Sequence, residues 1–151
     1  MKQKIFFEGM APLFARMLFA GVFLSSAAGL TRAFPNVVRV MTAKGVPAPD
    51  AILGLTIAAW LIGGLCLLAG FRVRLVATAL ALLLIPVTLG MHAPWTADAA
   101  SFQNELNNFL KNLGFIAGLL ALAAGPAGLL AMDGKGVRGR AGTGSVQPGL
   151  R

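Results

Sequence analysis

Four long stretches of the chain contain no aspartate, glutamate, lysine or arginine, and they are the strongest constraint on its fold. They cover residues 17–31, 51–71, 75–97 and 112–132. A bilayer core about 30 Å thick requires about 20 apolar residues of α-helix. Three stretches are long enough alone, and the first is long enough if its helix begins near Ala11 and includes Arg16. The sequence therefore predicts an all-α integral membrane protein, a bundle of four transmembrane helices.

Length and composition limit the chain to one membrane domain. Of its 151 residues, 57% are hydrophobic and 12% are charged, whereas soluble domains are about 25% charged. Within a domain covering 11–133, we expect helices at about 11–31, 51–71, 74–91 and 109–132. Residues 1–10 form an N-terminal segment, and 134–151 form a disordered basic tail. A cleavable leader is the alternative for the first stretch, although that stretch is long for a leader and contains Arg16.

Cations are distributed unevenly between the two sides of the predicted bundle. Four spans place both termini on one side, with nine of the 13 lysines and arginines, and leave four on the other side. Because cationic segments are retained in the cytoplasm, both termini are expected to be cytoplasmic. Membrane orientation thereby accounts for the net charge of +8, so a nucleic acid is not an expected partner.

The chain has few residues suited to metal binding. Cys66 is its only cysteine and His92 its only histidine. One cysteine forms no intramolecular disulfide, and these two side chains do not make a cluster of the zinc or iron type. We therefore expect neither a metal nor a covalently bound cofactor.

The first loop on the side opposite the termini contains a helical pattern. Apolar side chains recur at helical spacing within residues 37–44. Asn36 is a candidate cap before them, and Gly45 after them is typical of a helix end. The pattern predicts a short helix lying in the membrane interface, and an ordinary connecting loop is the alternative.

Small residues recur along the predicted helices. In lipid, helices associate where small residues let two backbones approach closely. Leu119 is expected to face lipid or a looser contact. The residues expected to form helix contacts are Gly21, Ser25, Gly29, Gly63, Gly64, Gly114 and Gly118.

Polar side chains gather at the helix ends opposite the termini. Polar groups at membrane depth are costly and are often functional. The sequence predicts a cationic vestibule there that binds an oxygen-rich head group or a small anion. Its candidate residues are Arg32, His92, Trp95, Asn108, Lys111 and Asn112. Interface anchoring by His92 and Trp95, and outward snorkelling of Lys111, are the structural alternatives.

Trp60 lies near the bilayer centre, where tryptophan is less expected than at an interface. Its indole N–H requires an acceptor in a dry environment. Filling of the bundle core is the simpler interpretation of this residue, and a platform for a ligand is the alternative.

Several segments, in order, resemble the DoxX family of small four-helix bacterial membrane proteins. The most recognisable runs from Gly63 to Phe71 and is followed by Arg-Val-Arg at 72–74. Family members often carry a glutamate three residues before this glycine pair, where the present chain has Trp60. The other similar segments are 16–20, 26–32, 45–47, 92–95 and 108–112.

The resemblance implies a place in respiratory, sulfur or oxidative-stress redox systems, including that of a subunit of a thiosulfate:quinone oxidoreductase. It implies the bacterial inner membrane as location, a quinone as candidate cofactor, and soluble or membrane redox proteins as partners besides the lipid bilayer. The chain would then be at most the membrane subunit of an oxidoreductase complex. A small-solute transporter and a pure membrane anchor for soluble partners are the alternatives, and a homo-oligomer is compatible with each.

The cation distribution predicts the orientation of the chain. Reporter tags at either terminus should be accessible from the cytoplasm, and a tag within residues 92–108 should be accessible from outside. Cysteine-accessibility or reporter fusions in intact cells measure this. A tag at residue 151 that reports from outside, with a new N-terminus near residue 31, would instead establish the cleaved leader.

Overall fold

Every regular element in the described part of the chain is helical. The computed structural model describes residue 3 and residues 6–135. Its α-helices are Ala11–Arg32 (α1), Phe34–Ala43 (α2), Pro49–Ala69 (α3), Val73–Met91 (α4) and Phe102–Ala124 (α5). A π-helical turn at Phe6–Met10 precedes α1, and 3-10 turns occupy Pro94–Thr96 and Met132–Lys135.

Four of these helices are long and apolar enough to cross a membrane, which confirms the predicted fold class. They are α1 with its preceding turn, α3, α4 with the following turn, and α5. Backbone groups have no water partner in lipid, so each crossing segment must satisfy its own hydrogen bonds as a helix. The first crossing helix begins at Phe6, inside the segment 1–10 predicted to precede it.

The four long helices form a ring in chain order. Helix α1 packs mainly on α3, and α4 packs mainly on α5, while smaller contacts join α3 to α4 and α1 to α5. The backbone N–H of Leu129 donates to the carbonyl of Gly9 over 3.0 Å. The two ends of the described chain therefore meet at one end of the bundle. We call this the terminal end (residues 6–16, 69–75 and 124–135) and its opposite the loop end (31–50 and 91–105).

The turn between α3 and α4 follows from two residues with positive φ. Gly70 (φ 68°) ends α3, and the N–H of Phe71 donates to the carbonyl of Cys66 over 2.9 Å. Arg72 (φ 45°) then leads directly into α4. In this pattern, N–H groups of the turn donate to the last carbonyls of the helix, which would otherwise lack partners. It makes α3 and α4 antiparallel neighbours, as the short sequence between them predicts.

Helix α2 is the short helix that the pattern in the first loop predicted. It begins at Phe34, with Pro35 in its first turn, rather than after the candidate cap Asn36. It ends before Gly45, whose φ is 73°. Met41 is the buried residue of α2, so the face of α2 that carries Met41 lies against the bundle.

The last long helix is displaced from its predicted bounds of 109–132. It begins at Phe102, because the carboxylate of Asp98 accepts the Ser101 N–H over 2.8 Å and so caps the chain just before the helix. It ends at Ala124, because Pro126 follows Gly125 and does not continue a helix. The remaining residues turn back across the terminal end. Of the predicted tail at 134–151, all but the backbone of 134–135 lies outside the described residues.

The helix contacts use only some of the predicted small residues. A Cβ at Gly63 would lie 2.8 Å from Leu80 Cδ2, one at Gly64 2.9 Å from Leu24 Cγ, and one at Gly118 2.7 Å from Phe19 Cζ. These glycines therefore lie at close approaches. The others face open space: Gly21, Gly29 and Gly114 have no atom within 4 Å of an added Cβ, and Ser25 is exposed. The predicted contact strip on α1 does not form within the described chain.

Leu119 is fully buried in the bundle core, at 0% exposure, so its predicted position facing lipid is wrong. A helix turn of 3.6 residues places it beside Gly118 on the inward side, where α5 meets α1 and α4. The core around it is made of small, branched and aromatic residues, including Ala20, Phe23, Leu67, Val73, Ala77, Leu80 and Leu84.

Arg16 joins the first helix to the end of the described chain. Its side chain is 1% exposed, and Nη1 donates to the carbonyl of Ala127 over 2.8 Å and to that of Leu129 over 3.4 Å. A buried cation is costly in a bundle unless such acceptors surround it. Both acceptors belong to residues 125–133, which we call the closing segment.

Asp133 fastens the closing segment to α4. Its two carboxylate oxygens accept the N–H groups of Arg72 and Val73, each over 2.8 Å. These are donors at the start of α4, where no carbonyl of the helix can satisfy them. The carboxylate therefore acts as a helix cap supplied from a distant part of the sequence.

Two glycines with positive φ offer a matched test of the closing segment. Gly45→Ala should lower the free energy of unfolding by about 1 kcal/mol, the cost of left-handed backbone for alanine. Gly70→Ala should lower the free energy of unfolding by the same backbone cost and by about 1–3 kcal/mol more, because the added methyl group overpacks its surroundings. Its new methyl group meets Ala131 Cα at 2.6 Å and Arg16 Nη1 at 2.7 Å, whereas the one at Gly45 meets no atom within 4 Å. Unfolding in one detergent measures both, and equal losses would contradict the close packing.

Candidate ligand-binding site

An apolar cavity of about 400 Å³ lies between the first four helices, in the half of the bundle nearer the loop end. Helix α5 contributes none of its lining residues. Ligand-binding cavities in proteins commonly measure about 300–1,000 Å³. The lining residues are Leu30, Val37, Met41, Val46, Ile52, Leu53, Thr56, Trp60, Leu83, Pro86, Val87, Gly90, Met91 and His92.

Local sequence explains why space remains between these helices. Helix α2 crosses the loop end and packs on α3 through Met41, which covers the cavity from that side. Pro86 and Gly90 present little side chain on the adjoining face of α4. Thr56 is 8% exposed, and its hydroxyl donates to the Ile52 carbonyl of its own helix over 2.8 Å. The hydroxyl is thus satisfied locally and leaves the wall apolar.

Trp60 contributes the unusual polar atom of this cavity. Its ring packs edge-on against Phe23, with the two ring centroids 5.9 Å apart. Its Nε1 is buried and has no acceptor among the described residues. An unpaired buried donor costs about 1–3 kcal/mol. Trp60 packs against the core, as the simpler interpretation predicts, and also lines the cavity, while its role as a platform for a ligand stays a prediction.

His92 lies at the loop-end rim of the cavity and is held by Glu105 of α5. The distance from His92 Nδ1 to Glu105 Oε2 is 3.0 Å. Because a carboxylate only accepts hydrogen bonds, the proton of a neutral imidazole lies on Nδ1. Nε2 is then a hydrogen-bond acceptor. His92 therefore suits a ligand hydroxyl.

Lys44 completes this polar cluster from the end of α2. Its Nζ lies 3.9 Å from Glu105 Oε1 and also donates to the carbonyl of Met91. Both charged side chains are partly exposed, so the ion pair itself contributes at most about 1 kcal/mol. Its structural effect is to connect α2, α4 and α5 at the loop end. Lys44, Glu105 and His92 together are called the loop-end cluster below.

A second cavity, of about 630 Å³, lies on the other side of the loop-end cluster. It is more polar than the first and opens at the loop end. Its lining residues are Lys44, Leu89, Gly90, Ala93, Trp95, Thr96, Ala97, Asp98, Ser101 and Glu105. Glu105 faces this polar cavity, while His92, its hydrogen-bond partner, faces the apolar one.

Asp98 is held as a carboxylate at the edge of the polar cavity. The hydroxyl of Ser101 donates to it over 2.7 Å and the N–H of Ser101 over 2.8 Å, and these bonds lower the pKa of Asp98 below its usual value. A lowered pKa means that this stabilisation of the start of α5 is present at neutral pH and is lost as the pH falls through the lowered pKa.

The structure separates most residues of the predicted vestibule. Arg32 and Lys111 are exposed, and neither lines either cavity. Asn108 and Asn112 are half-buried on α5, also away from both cavities. Trp95 lines the polar cavity and packs edge-on against Phe109, with ring centroids 5.6 Å apart.

Sequence reasoning missed Glu105 as a partner of His92. A signal for it existed, because Glu105 lies three residues before Asn108 and seven before Asn112, at helical spacing on the same polar face. It also missed the apolar cavity. The cavity is formed by side chains from four helices whose mutual distances the sequence does not encode.

The two tryptophans should report these two environments separately. With Trp95→Phe, emission from Trp60 should be blue-shifted and hardly quenched by aqueous iodide, because Trp60 is packed inside the bundle. With Trp60→Phe, emission from Trp95 should be red-shifted and strongly quenched, because Trp95 is 63% exposed. Steady-state fluorescence in detergent measures both, and similar iodide quenching of the two variants would refute the placement of Trp60.

Comparison with known proteins identifies one relationship. The model of the DoxX family matches residues 11–93, which cover α1 to α4 and therefore every lining residue of the apolar cavity. The curated proteins and the solved structures each provide no match to this chain.

Proposed function

The chain belongs to the DoxX family of membrane proteins, and from this premise we propose that it is a membrane subunit or accessory of a quinone-linked redox system. The head group of the quinone would bind in the apolar cavity. The observation that carries this proposal is an apolar cavity among membrane-spanning helices that is lined by Trp60, whose buried N–H has no acceptor among the described residues, and by His92, whose Nδ1 is held by Glu105.

The residues of the cavity fit such a head group. A quinone ring is flat and apolar, carries two oxygens on opposite sides, and reaches its site through lipid. Trp60 Nε1–H would donate to one oxygen, and His92 Nε2 would accept from the hydroxyl of the reduced form. When bound, a quinone would accept two electrons and two protons to become a quinol. The protein itself would supply the binding and the orientation.

A small anion such as thiosulfate has less support as the ligand. The polar cavity presents the carboxylates of Asp98 and Glu105 and only the ammonium of Lys44. That ammonium already donates to the carbonyl of Met91 and pairs with the carboxylate of Glu105. An anion entering the polar cavity would therefore meet net negative charge.

The proposed location is the bacterial inner membrane, with the terminal end in the cytoplasm. The predicted split of nine cations against four supports this orientation. The loop end and the polar cavity would then face outward. Soluble or membrane redox proteins that exchange electrons with the bound quinone are the proposed partners.

A titration with a short-chain quinone analogue tests the proposal. In the Trp95→Phe background, the analogue should quench the fluorescence of Trp60 and the quenching should saturate, since quinones quench tryptophan at short range. His92→Phe in the same background should raise the dissociation constant of the reduced, hydroxylated form, measured by its competition with the quinone analogue, roughly two- to tenfold, the value of one neutral hydrogen bond. Phenylalanine retains a ring at the rim and removes the acceptor.

Lys111→Met is the matched control, because Lys111 is exposed on α5 and lies away from both cavities. Its dissociation constant should equal that of the parent. Thiosulfate should produce no saturable quenching in any variant. Absence of saturable quenching by the quinone analogue, or a loss of affinity in Lys111→Met as large as in His92→Phe, would overturn the proposed site.

A further inference from the structure

We propose that His92 and Glu105 form a proton relay between the apolar cavity and the polar cavity at the loop end. The inference rests on the proposed function to the extent that the proton donor is a hydroxylated ring bound in the apolar cavity. It goes further by assigning to two named residues the route by which a proton leaves the apolar cavity.

The first support is the position of the pair between the cavities. His92 lines the apolar cavity but not the polar one, and Glu105 lines the polar cavity but not the apolar one. The hydrogen bond between Nδ1 and Oε2, at 3.0 Å, joins them directly. A proton that crosses this bond passes from an apolar compartment to one that opens at the loop end.

The second support is that the rest of the apolar cavity has no other titratable side chain. Apart from His92, its polar side chains are Thr56 and Trp60. The Thr56 hydroxyl donates to the carbonyl of its own helix, and the indole N–H does not titrate at physiological pH. His92 is therefore the group in this wall that can accept a proton from a ligand.

The charges around the pair favour release toward the loop end. Lys44 approaches Glu105 from α2, and Asp98 lies across the polar cavity in the loop before α5. The Asp98 carboxylate and the Glu105 carboxylate both attract a proton into the polar cavity, and Lys44 limits its retention there. Arg32 and Lys111 are exposed and line neither cavity.

The proton transfer changes the tautomer of His92 once and leaves its charge unchanged. Nε2 of His92 takes the hydroxyl proton of the ligand as Nδ1 gives its proton to Glu105. The imidazole remains neutral, now protonated on Nε2, and the ligand retains the electron pair of the broken O–H bond. Glu105 passes its proton to water in the polar cavity. The starting tautomer returns when Nδ1 takes up a proton from the polar cavity and Nε2 releases its own proton to water.

The first measurement is the tautomer of the histidine, which is unambiguous because the chain has one. Nitrogen NMR of protein labelled with ¹⁵N-histidine should show Nδ1 protonated and Nε2 free near neutral pH. Glu105→Gln should give a mixture of tautomers, since an amide both donates and accepts. A wild-type histidine protonated on Nε2 would overturn the relay.

The second measurement follows proton movement with a short-alkyl nitrophenol, whose phenolate is coloured. The probe should bind in the apolar cavity and compete with the quinone analogue. After a small pH jump, the bound probe should equilibrate roughly a hundredfold more slowly in Glu105→Gln and His92→Phe, the effect of losing a positioned proton-transfer group. Lys111→Met is the matched control, because Lys111 is exposed on α5 and lines neither cavity, and its rate should equal that of wild type.

The outcomes separate the relay from the proposed function. If the quinone analogue binds but the bound nitrophenol equilibrates equally fast in wild type and Glu105→Gln, the relay is wrong and the binding site stands. If wild type binds the quinone but not the nitrophenol, the relay is also wrong, because no proton donor reaches His92. If neither compound binds, both proposals fail together.

Discussion

The hydrogen bonds of the buried Arg16 connect the beginning of the described chain to its end. Nη1 of this cation on the first helix donates to carbonyls more than a hundred residues away, at Ala127 and Leu129, while its buried Nε has no partner among the described residues. Gly70 allows the guanidinium to lie against the turn between α3 and α4, and Asp133 binds the first N–H groups of α4. The terminal end is therefore closed by polar contacts, so the apolar helices need to supply only close packing between them.

The loop end is held differently, and this difference produces the candidate site. Lys44, Glu105 and His92 join α2, α4 and α5 through partly exposed contacts. A cluster of this kind contributes little stability but fixes the orientation of an imidazole. Between the closed terminal end and the loop-end cluster, the helices leave an apolar space. The polar side chains of this space that are not already bonded within their own helix are Trp60 in the wall and His92 at the rim.

Trp60 distinguishes this chain from family members that carry glutamate before the glycine pair. A carboxylate in this position would bring a titratable group into the middle of the bundle, at a cost of several kcal/mol unless it were paired. An indole brings a donor that does not titrate and a large apolar surface. In the proposed function, proton transfer would therefore fall to the His92–Glu105 pair at the rim, beside the polar cavity.

The sequence by itself determined the class of the protein, because charge-free stretches of bilayer length permit little besides transmembrane helices. It also determined the short turn at residues 70–72 and the helix at 34–43, since local glycines and periodicity suffice for both. The bounds of α5 follow from Asp98 before it and Pro126 after it, whereas the burial of Leu119 and the outward position of Gly21 were decided by which helix faces met. The partnership of His92 with Glu105 and the cavity beside Trp60 arise from distances between helices. Such distances depend on the packing of every side chain at once, and no local pattern in the sequence records them.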